Sequence, residues 1–259
     1  MTPVLCFDIE TVPDVDGLRR LRPEWAALDD GAVAESAFAQ RRERIGSDFL
    51  QHHLHRIVAI GCAFRDDSGF RVRCLGDETD GEPRLVQDFY RVIDRYTPQL
   101  VSWNGGGFDL PVLHYRALVH GVHAARYWDF GDDDRDFRFN NYVNRYHTRH
   151  LDLMDLLSMF QPRASAPLDD IARLAGFPGK LGMDGGQVWD AYRTGQLATI
   201  RSYCETDVVN TYLVYCRFQM MRGVLDESAY AAEIHVVRET LQSLTGAQWR
   251  RFLDAWPIT

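Results

Sequence analysis

Val4-Leu5-Cys6-Phe7-Asp8-Ile9-Glu10-Thr11-Val12-Pro13 is the stretch on which the fold turns. Val4, Leu5, Cys6, Phe7 and Ile9 make an apolar, β-rich run that Pro13 and Asp14 close, which predicts a strand. Two carboxylates interrupt it. Side chains two apart on a strand leave the same face, so Asp8 and Glu10 share one face while Phe7 and Ile9 enter an apolar layer on the other. Neighbouring buried like charges raise each other's pKa and oppose folding. A divalent cation removes that conflict, and carboxylate oxygens are the ligands that Mg²⁺ and Mn²⁺ prefer. The plainer alternative is a solvated Glu10 at the strand end and an Asp8 that caps a turn.

Outward from this strand, Ile57 to Phe64 and Phe70 to Leu75 are predicted strands joined by the turn Asp66-Asp67-Ser68-Gly69, a hairpin. Leu85, Phe89, Val92 and Ile93 have helical spacing over 82–96. A short strand, Leu100 to Trp103, runs into Asn104 and three glycines. A helix follows from about 110 to 120 and stops at Gly121. His150 to Leu153 is a last short strand, and helices fill the remainder. The longest is predicted over about 196–222, where Leu197, Ile200, Cys204, Val208, Thr211, Tyr215 and Phe218 fall on one stripe. Residues 17–50 are polar and helix-like, with Leu18, Leu21, Trp25 and Leu28 at helical spacing, and read as an insertion packed on the main body. Residues 129–147 lack periodicity and read as a long, mobile loop, and 225–259 as a C-terminal helical extension. A hairpin followed by alternating strands and helices predicts one α/β domain over 1–259, a mixed central sheet flanked by helices.

The 259 residues carry 37 acids against 29 bases, a net charge of −8, which excludes an all-over basic coat for nucleic acid. A local basic groove stays possible, and Arg135, Arg138, Arg145 and Arg149 are its candidates. No run of 18 apolar residues appears, so no membrane span is expected. The start lacks a basic region and meets carboxylates by residue 8, unlike a signal peptide. Cys6, Cys62, Cys74, Cys204 and Cys216 form no Cys-x-x-Cys pair and read as reduced, buried thiols of a cytoplasmic protein. His147, His150 and Asp152 lack the further ligands that a zinc site needs. His52-His53-x-His55 reads as a helix end.

Two further elements bear acids. Asp109 follows Asn104-Gly105-Gly106-Gly107-Phe108 and is a candidate N-cap for a helix with Pro111 in its first turn. Such a terminus also presents amides to phosphate oxygens, and the glycines would let a nucleic-acid backbone approach closely. Tyr203 and Asp207 lie four apart on the longest helix and share a face, each one position before a member of the apolar stripe. That places both at the rim of the helix–sheet contact. Four acids on three separate elements are what a two-metal phosphoryl-transfer site requires.

These segments resemble a known family, the DEDD 3′–5′ exonucleases of the ribonuclease H-like fold. Phe7-Asp8-Ile9-Glu10-Thr11 is similar to its first motif, Asn104 with Phe108-Asp109 to its second, and Tyr203-Cys-Glu-Thr-Asp207 to the tyrosine form of its third. Trp103-Asn104-Gly, Arg145-Tyr146, His150-Leu-Asp152-Leu and Gly179-Lys180…Asp184-Gly185 look most like stand-alone bacterial proteins related to the proofreading domain of family-B DNA polymerases. The resemblance spans roughly residues 3–222.

It implies a metal-dependent 3′–5′ exonuclease that uses two Mg²⁺ or Mn²⁺ ions. Asp8 would bridge both ions, Glu10 and Asp207 would complete the tighter site, and Asp109 would hold the second ion through water. Tyr203 would orient the attacking water, and the product would be a nucleoside 5′-monophosphate. Thr11, Trp103, Asn104, Phe108 and Lys180 are candidates for touching substrate, Lys180 from a glycine-rich loop that could grip phosphate. The partner would be single-stranded nucleic acid; the proofreading likeness favours DNA over RNA. An exoribonuclease or oligonucleotide hydrolase with the same site, and an inactive ribonuclease H-like binding module, are the alternatives.

Overall fold

The structure, a computed structural model, describes residues 2–257. Five strands form one mixed sheet: β1 (Val4–Pro13), β2 (His55–Asp66), β3 (Gly69–Cys74), β4 (Gln99–Ser102) and β5 (His150–Asp152), in the order β3-β2-β1-β4-β5. β1, β2 and β3 are antiparallel, while β4 and β5 run parallel to β1. The helices are α1 (Val15–Leu21), α2 (Asp30–Ile45), α3 (Glu82–Tyr96), α4 (Asp109–His120), α5 (Leu153–Leu157), α6 (Leu168–Leu174), α7 (Val188–Arg193), α8 (Leu197–Met221), α9 (Glu227–Ser243) and α10 (Ala247–Asp254).

The period-two pattern of β1 sorts its side chains as expected. Leu5, Phe7 and Ile9 join the core beneath α3 and α4, with Phe89, Ile93, Leu110 and Leu113. Val4 and Cys6 join the opposite core, with Val208, Tyr212 and Leu213 of α8. Asp8 and Glu10 continue the second series, so their carboxylates face α8. That helix is buried nearly all round over 206–216, a wider burial than the one predicted stripe, because α6 and α9 also pack against it.

The parallel pairing of β1 with β4 ends at Cys6↔Val101. Beyond it the chain leaves β4 through Asn104, held at a left-handed φ of 68°, and a crevice opens beside the C-terminal half of β1. In open α/β sheets such a crevice at the strand ends is where ligands bind. The glycines after Asn104 serve packing within the turn rather than access from outside. A Cβ at Gly105 would lie 2.4 Å from the Ser102 hydroxyl, and one at Gly107 2.4 Å from the Asn104 side chain.

A buried ion network fixes α4 behind the crevice. Arg116 donates to Glu82 at 2.7 Å and to Asp14 at 2.6 Å, and Glu82 also accepts the Ile57 amide at 2.7 Å. The start of α3, the middle of α4, the end of β1 and β2 are thereby tied at one point. Removing one partner of such a network is costly because it leaves charge buried and unpaired.

Three expectations need correction. Residues 17–50 hold two helices, not one apolar stripe. Arg22-Pro23 ends α1, so Leu18 and Trp25 are buried while Leu21 and Leu28 are 56% and 37% exposed. Residues 129–147 are irregular but anchored: Asp129 accepts four backbone amides from residues 131–134, and Phe137 and Tyr142 are buried. Of the four arginines named for a basic groove, Arg135 is exposed, while Arg138, Arg145 and Arg149 are engaged within the segment and its neighbours. Arg138 donates to the Gly131 carbonyl, Arg149 lies over Phe137 and donates to the Asn140 carbonyl, and Arg145 pairs with Asp155 over Phe160.

Candidate active site

Asp8 and Glu10 meet Tyr203 and Asp207 where β1 passes beneath α8. Glu10 is 6% and Asp207 4% exposed, and Asp8 is half-buried. Tyr203 and Asp207 are thus inside the interface rather than at its rim, because the segment around Lys180 covers the turn of α8 that bears them. Burial comes first in pushing the carboxyls of Asp8 and Glu10 well above the usual range, and charge repulsion adds to it: on Asp8 from Asp109 and Asp207, on Glu10 from Asp8 and Asp207. Asp207 is raised by burial as well, although Lys180 opposes the rise.

Asp109 arrives by another route. It is the first residue of α4, not its cap, and one carboxylate oxygen accepts the Ile9 amide at 3.0 Å. That amide has no ladder partner because β4 has already diverged. The bond pins the start of α4 to the middle of β1, one residue from each of Asp8 and Glu10. Burial lifts Asp109 to about 7, against the pull of the backbone hydrogen bonds it accepts.

Lys180 reaches into this cluster. Its ammonium donates to the Tyr203 hydroxyl at 2.6 Å and stands 3.4 Å from an Asp207 oxygen. Burial works against its charge, but Asp207, Asp8 and Glu10 outweigh that and raise its pKa. One buried oxygen is left over: Oδ1 of Asp207 has no hydrogen-bond partner. An unsatisfied buried carboxylate oxygen is expensive, and a cluster of such groups around it suits a hard divalent cation. The four acids fit the expected ions on that ground.

Two depressions flank the carboxylates. The larger has a volume of about 890 Å³; Asp8, Glu10, Thr11, Tyr203 and Asp207 form its floor. Glu35, Phe38 and Arg42 of α2 also line it, as do Phe49, His55, Phe108, Trp189 and Arg193. Thr11 exchanges a hydrogen bond of 2.9 Å with Nδ1 of His55, and burial lowers the His55 pKa to about 4. The smaller depression holds Asp8, Trp103, Asn104, Lys180 and Asp207. There the Trp103 indole donates to the Ala166 carbonyl at 3.1 Å.

The residues expected to catalyse, to hold metal or to touch substrate therefore lie in or beside one locus, with Asp109 behind it rather than lining either depression. Asp152 instead braces the turn: its carboxylate accepts the amides of Asn104 and Gly106 and caps α5. His150 bonds Ser102 at 2.8 Å and His147 accepts the Asn141 amide, both structural. The sequence reading missed His55, Cys204 and the α2 lining as parts of the site. The signals the sequence offers are His55, in the run His52-His53-x-His55, and Trp189, in α7 just beyond the loop that carries Lys180.

The five-stranded mixed sheet with its flanking helices is a ribonuclease H-like α/β fold. It aligns with the family B DNA polymerase of the archaeon Pyrobaculum calidifontis over 82% of this chain and 24% of that one, at a TM-score of 0.50 and 18% identity. Over residues 47–256 the sequence matches the family described as predicted 3′–5′ exonucleases related to the exonuclease domain of PolB, and the chain belongs to that family. It is also 26% identical over 163 residues to a DNA polymerase of Archaeoglobus fulgidus, covering 61% of this chain and 19% of the polymerase. The chain spans about a fifth of the length of that relative. Asp8 and Glu10 precede the family span; geometry brings them to Asp109, Tyr203 and Asp207 within it. Among the described residues no helix is long and apolar enough to cross a membrane.

Proposed function

We propose that this chain is a metal-dependent 3′–5′ exonuclease, one domain over 1–259, that removes nucleoside 5′-monophosphates from unpaired strand ends, DNA before RNA. The observation that carries the reading is the convergence of Asp8, Glu10, Asp207 and Tyr203 around an unpartnered buried oxygen of Asp207, with Asp109 bonded to the strand between the first two. Asp8, Glu10, Asp207 and Asp109 would hold two divalent cations, Mg²⁺ or Mn²⁺. Bound there, the ions would lower the pKa of the attacking water and offset charge on the leaving oxygen.

The chain's own groups supply the rest. Lys180 donates to the Tyr203 oxygen, so the phenolic hydrogen is free to hold Asp207 or a water in line with the phosphate. The rise of the phenol's pKa, from burial and then from Asp207, Glu10 and Asp8, keeps Tyr203 neutral, suited to orienting a water and not to removing its proton. Phe38, Phe49, Phe108 and Trp189 offer stacking surfaces in the larger cleft, and sequence-tolerant stacking is typical of single-strand binding. Trp103 and Asn104 line the opposite side. DNA is favoured because the relatives in sequence and fold are DNA polymerases.

The test is product analysis: single-stranded DNA is incubated with Mg²⁺ and the products are separated by chromatography from the first turnover. Nucleoside 5′-monophosphates appearing before any short oligonucleotide are expected. Early oligonucleotides or nucleoside 3′-monophosphates would overturn the reading. Products from RNA but not DNA of equal sequence would shift it to an exoribonuclease, and none from either, with strand binding retained, to a binding module.

A further inference from the structure

Helix α2 lines two depressions. Its Glu35, Phe38 and Arg42 line the larger cleft, and its Ala37, Gln40, Arg41 and Arg44 line a second one of about 190 Å³. At about 3.6 residues per turn, the two sets leave opposite faces of the helix. Leu50 lines both depressions, and Phe49 beside it lines the cleft and is 53% exposed. The segment 49–50 therefore joins the two.

The second depression is basic. Arg22, Arg41 and Arg44 line it and no carboxylate does, in a chain of net charge −8. Neighbouring arginines are neutralised: Arg19 pairs with Asp16 and Asp30, and Arg42 with Glu35 and Asp48. Arg22 instead donates to the Leu21 carbonyl at 3.3 Å and Arg41 to the Phe49 carbonyl at 3.0 Å. Among the described residues neither of these nor Arg44 forms an ion pair. A guanidinium carries five N–H donors in a planar fork, so most of theirs remain to be used. All three arginines precede the family span of 47–256. We propose that this depression holds backbone phosphates of the single strand whose 3′ end lies at the carboxylates, several nucleotides 5′ of that end, with a base on Phe49 between the two places. The proposal rests on the exonuclease reading for where the 3′ end lies, which sends the rest of the strand out of the cleft. Guanidinium forks match phosphate oxygens, and arginines free of carboxylates meet the strand at no cost beyond its counterions, whose release favours binding.

The experiment measures binding in EDTA, where no strand is cut, by the fluorescence anisotropy of 5′-labelled single-stranded DNA of about 4 and about 16 nucleotides, the range of single-strand site sizes. The whole chain is compared with a variant carrying Arg22→Gln, Arg41→Gln and Arg44→Gln, with the same three positions changed to lysine, and with Arg20→Gln. Each phosphate contact to a single strand contributes about 0.7 to the slope of log affinity against log salt. The triple glutamine variant should therefore be shallower by about 2 on the long strand and unchanged on the short one. Lysine, a point charge that still binds phosphate, should restore the slope. Arg20 lies on the face of α1 turned away from Leu18 and Leu21, and its loss should change neither strand. Circular dichroism checks folding, and Arg22→Gln with Arg44→Gln, which keeps the Arg41–Phe49 bond, should lose about 1.4 in slope should the triple variant misfold. Equal slopes on the long strand, or the same loss on the short one, overturn the surface; if Mg²⁺ still shortens the strand, the exonuclease reading stands without it. An arginine-dependent, length-dependent slope on a chain that never cuts a strand would uphold the surface and sink the exonuclease reading instead.

Discussion

Replacing Asp109 by asparagine isolates the electrostatic strain of the metal-free site. Asparagine keeps the size and an oxygen that can accept the Ile9 amide, now 3.0 Å from the carboxylate, and removes only the ionisation. Burial holds the Asp109 carboxyl at about 7 in the folded chain against an ordinary 3.8. A group whose folded pKa is raised gives its full stability below the unfolded pKa and loses it as the pH climbs to the folded one. Below pH 4 both states are protonated and the substitution should be neutral. Between pH 4 and 7 the unfolded chain sheds a proton that the folded chain keeps, and stability falls; above pH 7 the deficit stays constant. At about 1.36 kcal/mol per pKa unit, that deficit comes to about 4 kcal/mol. Urea denaturation in EDTA at steps from pH 4 to 8 should therefore show Asp109→Asn gaining on the wild type with pH, by about 4 kcal/mol at pH 8. Mg²⁺ should reverse the order by stabilising the wild type more. Parallel pH profiles, or a variant less stable than wild type at pH 8 in EDTA, would refute the reasoning. The anion would then be held by the amides it accepts, and burial would not be the dominant cause.

Tyr203→Phe should slow turnover by about 10²-fold, as for the loss of a group that positions a reactant, with the Mn²⁺ affinity unchanged by titration calorimetry; an equal fall in affinity would remove Tyr203 from the water. Trp189→Ala should raise KM for a single-stranded oligonucleotide about 5- to 160-fold, as expected for one lost stacking surface worth ~1–3 kcal/mol, and leave kcat alone. A fall in kcat instead would place Trp189 outside the strand path. Gly61→Ala drives a Cβ to 2.8 Å from the Cys204 backbone, so a loss of about 1–3 kcal/mol is expected from chemical denaturation, as for other overpacked sites. Wild-type stability would mean that β2 and α8 are free to part.

The sequence carried the parts of this account that depend on local periodicity. The alternation in β1 placed Asp8 and Glu10 opposite Phe7 and Ile9, and the structure puts those pairs on the two sides of the sheet. Strands 57–64 and 70–75, helix 82–96 and the long helix lie within a residue or two of their predicted bounds. What escaped depends on partners remote in the chain. Cys204 reads as one more member of an apolar stripe because Asp8 is 196 residues away. The Asp109–Ile9 bond follows from where β4 leaves β1, which no local pattern encodes. The α2 lining escaped because the helix's buried face is Val33, Ala34 and Ala37, too small a stripe to show against polar neighbours. Asp129 organises 129–134 through backbone amides, which leave no trace in side-chain spacing.

The most direct test of the account is a gel assay on a 5′-labelled single strand of DNA with Mg²⁺, with Mn²⁺ and with EDTA, beside the Asp207→Ala variant. The account predicts a ladder that shortens one nucleotide at a time from the 3′ end in the two metal lanes, and intact strand with EDTA or with the variant. Shortening that survives EDTA or the loss of Asp207 would contradict it.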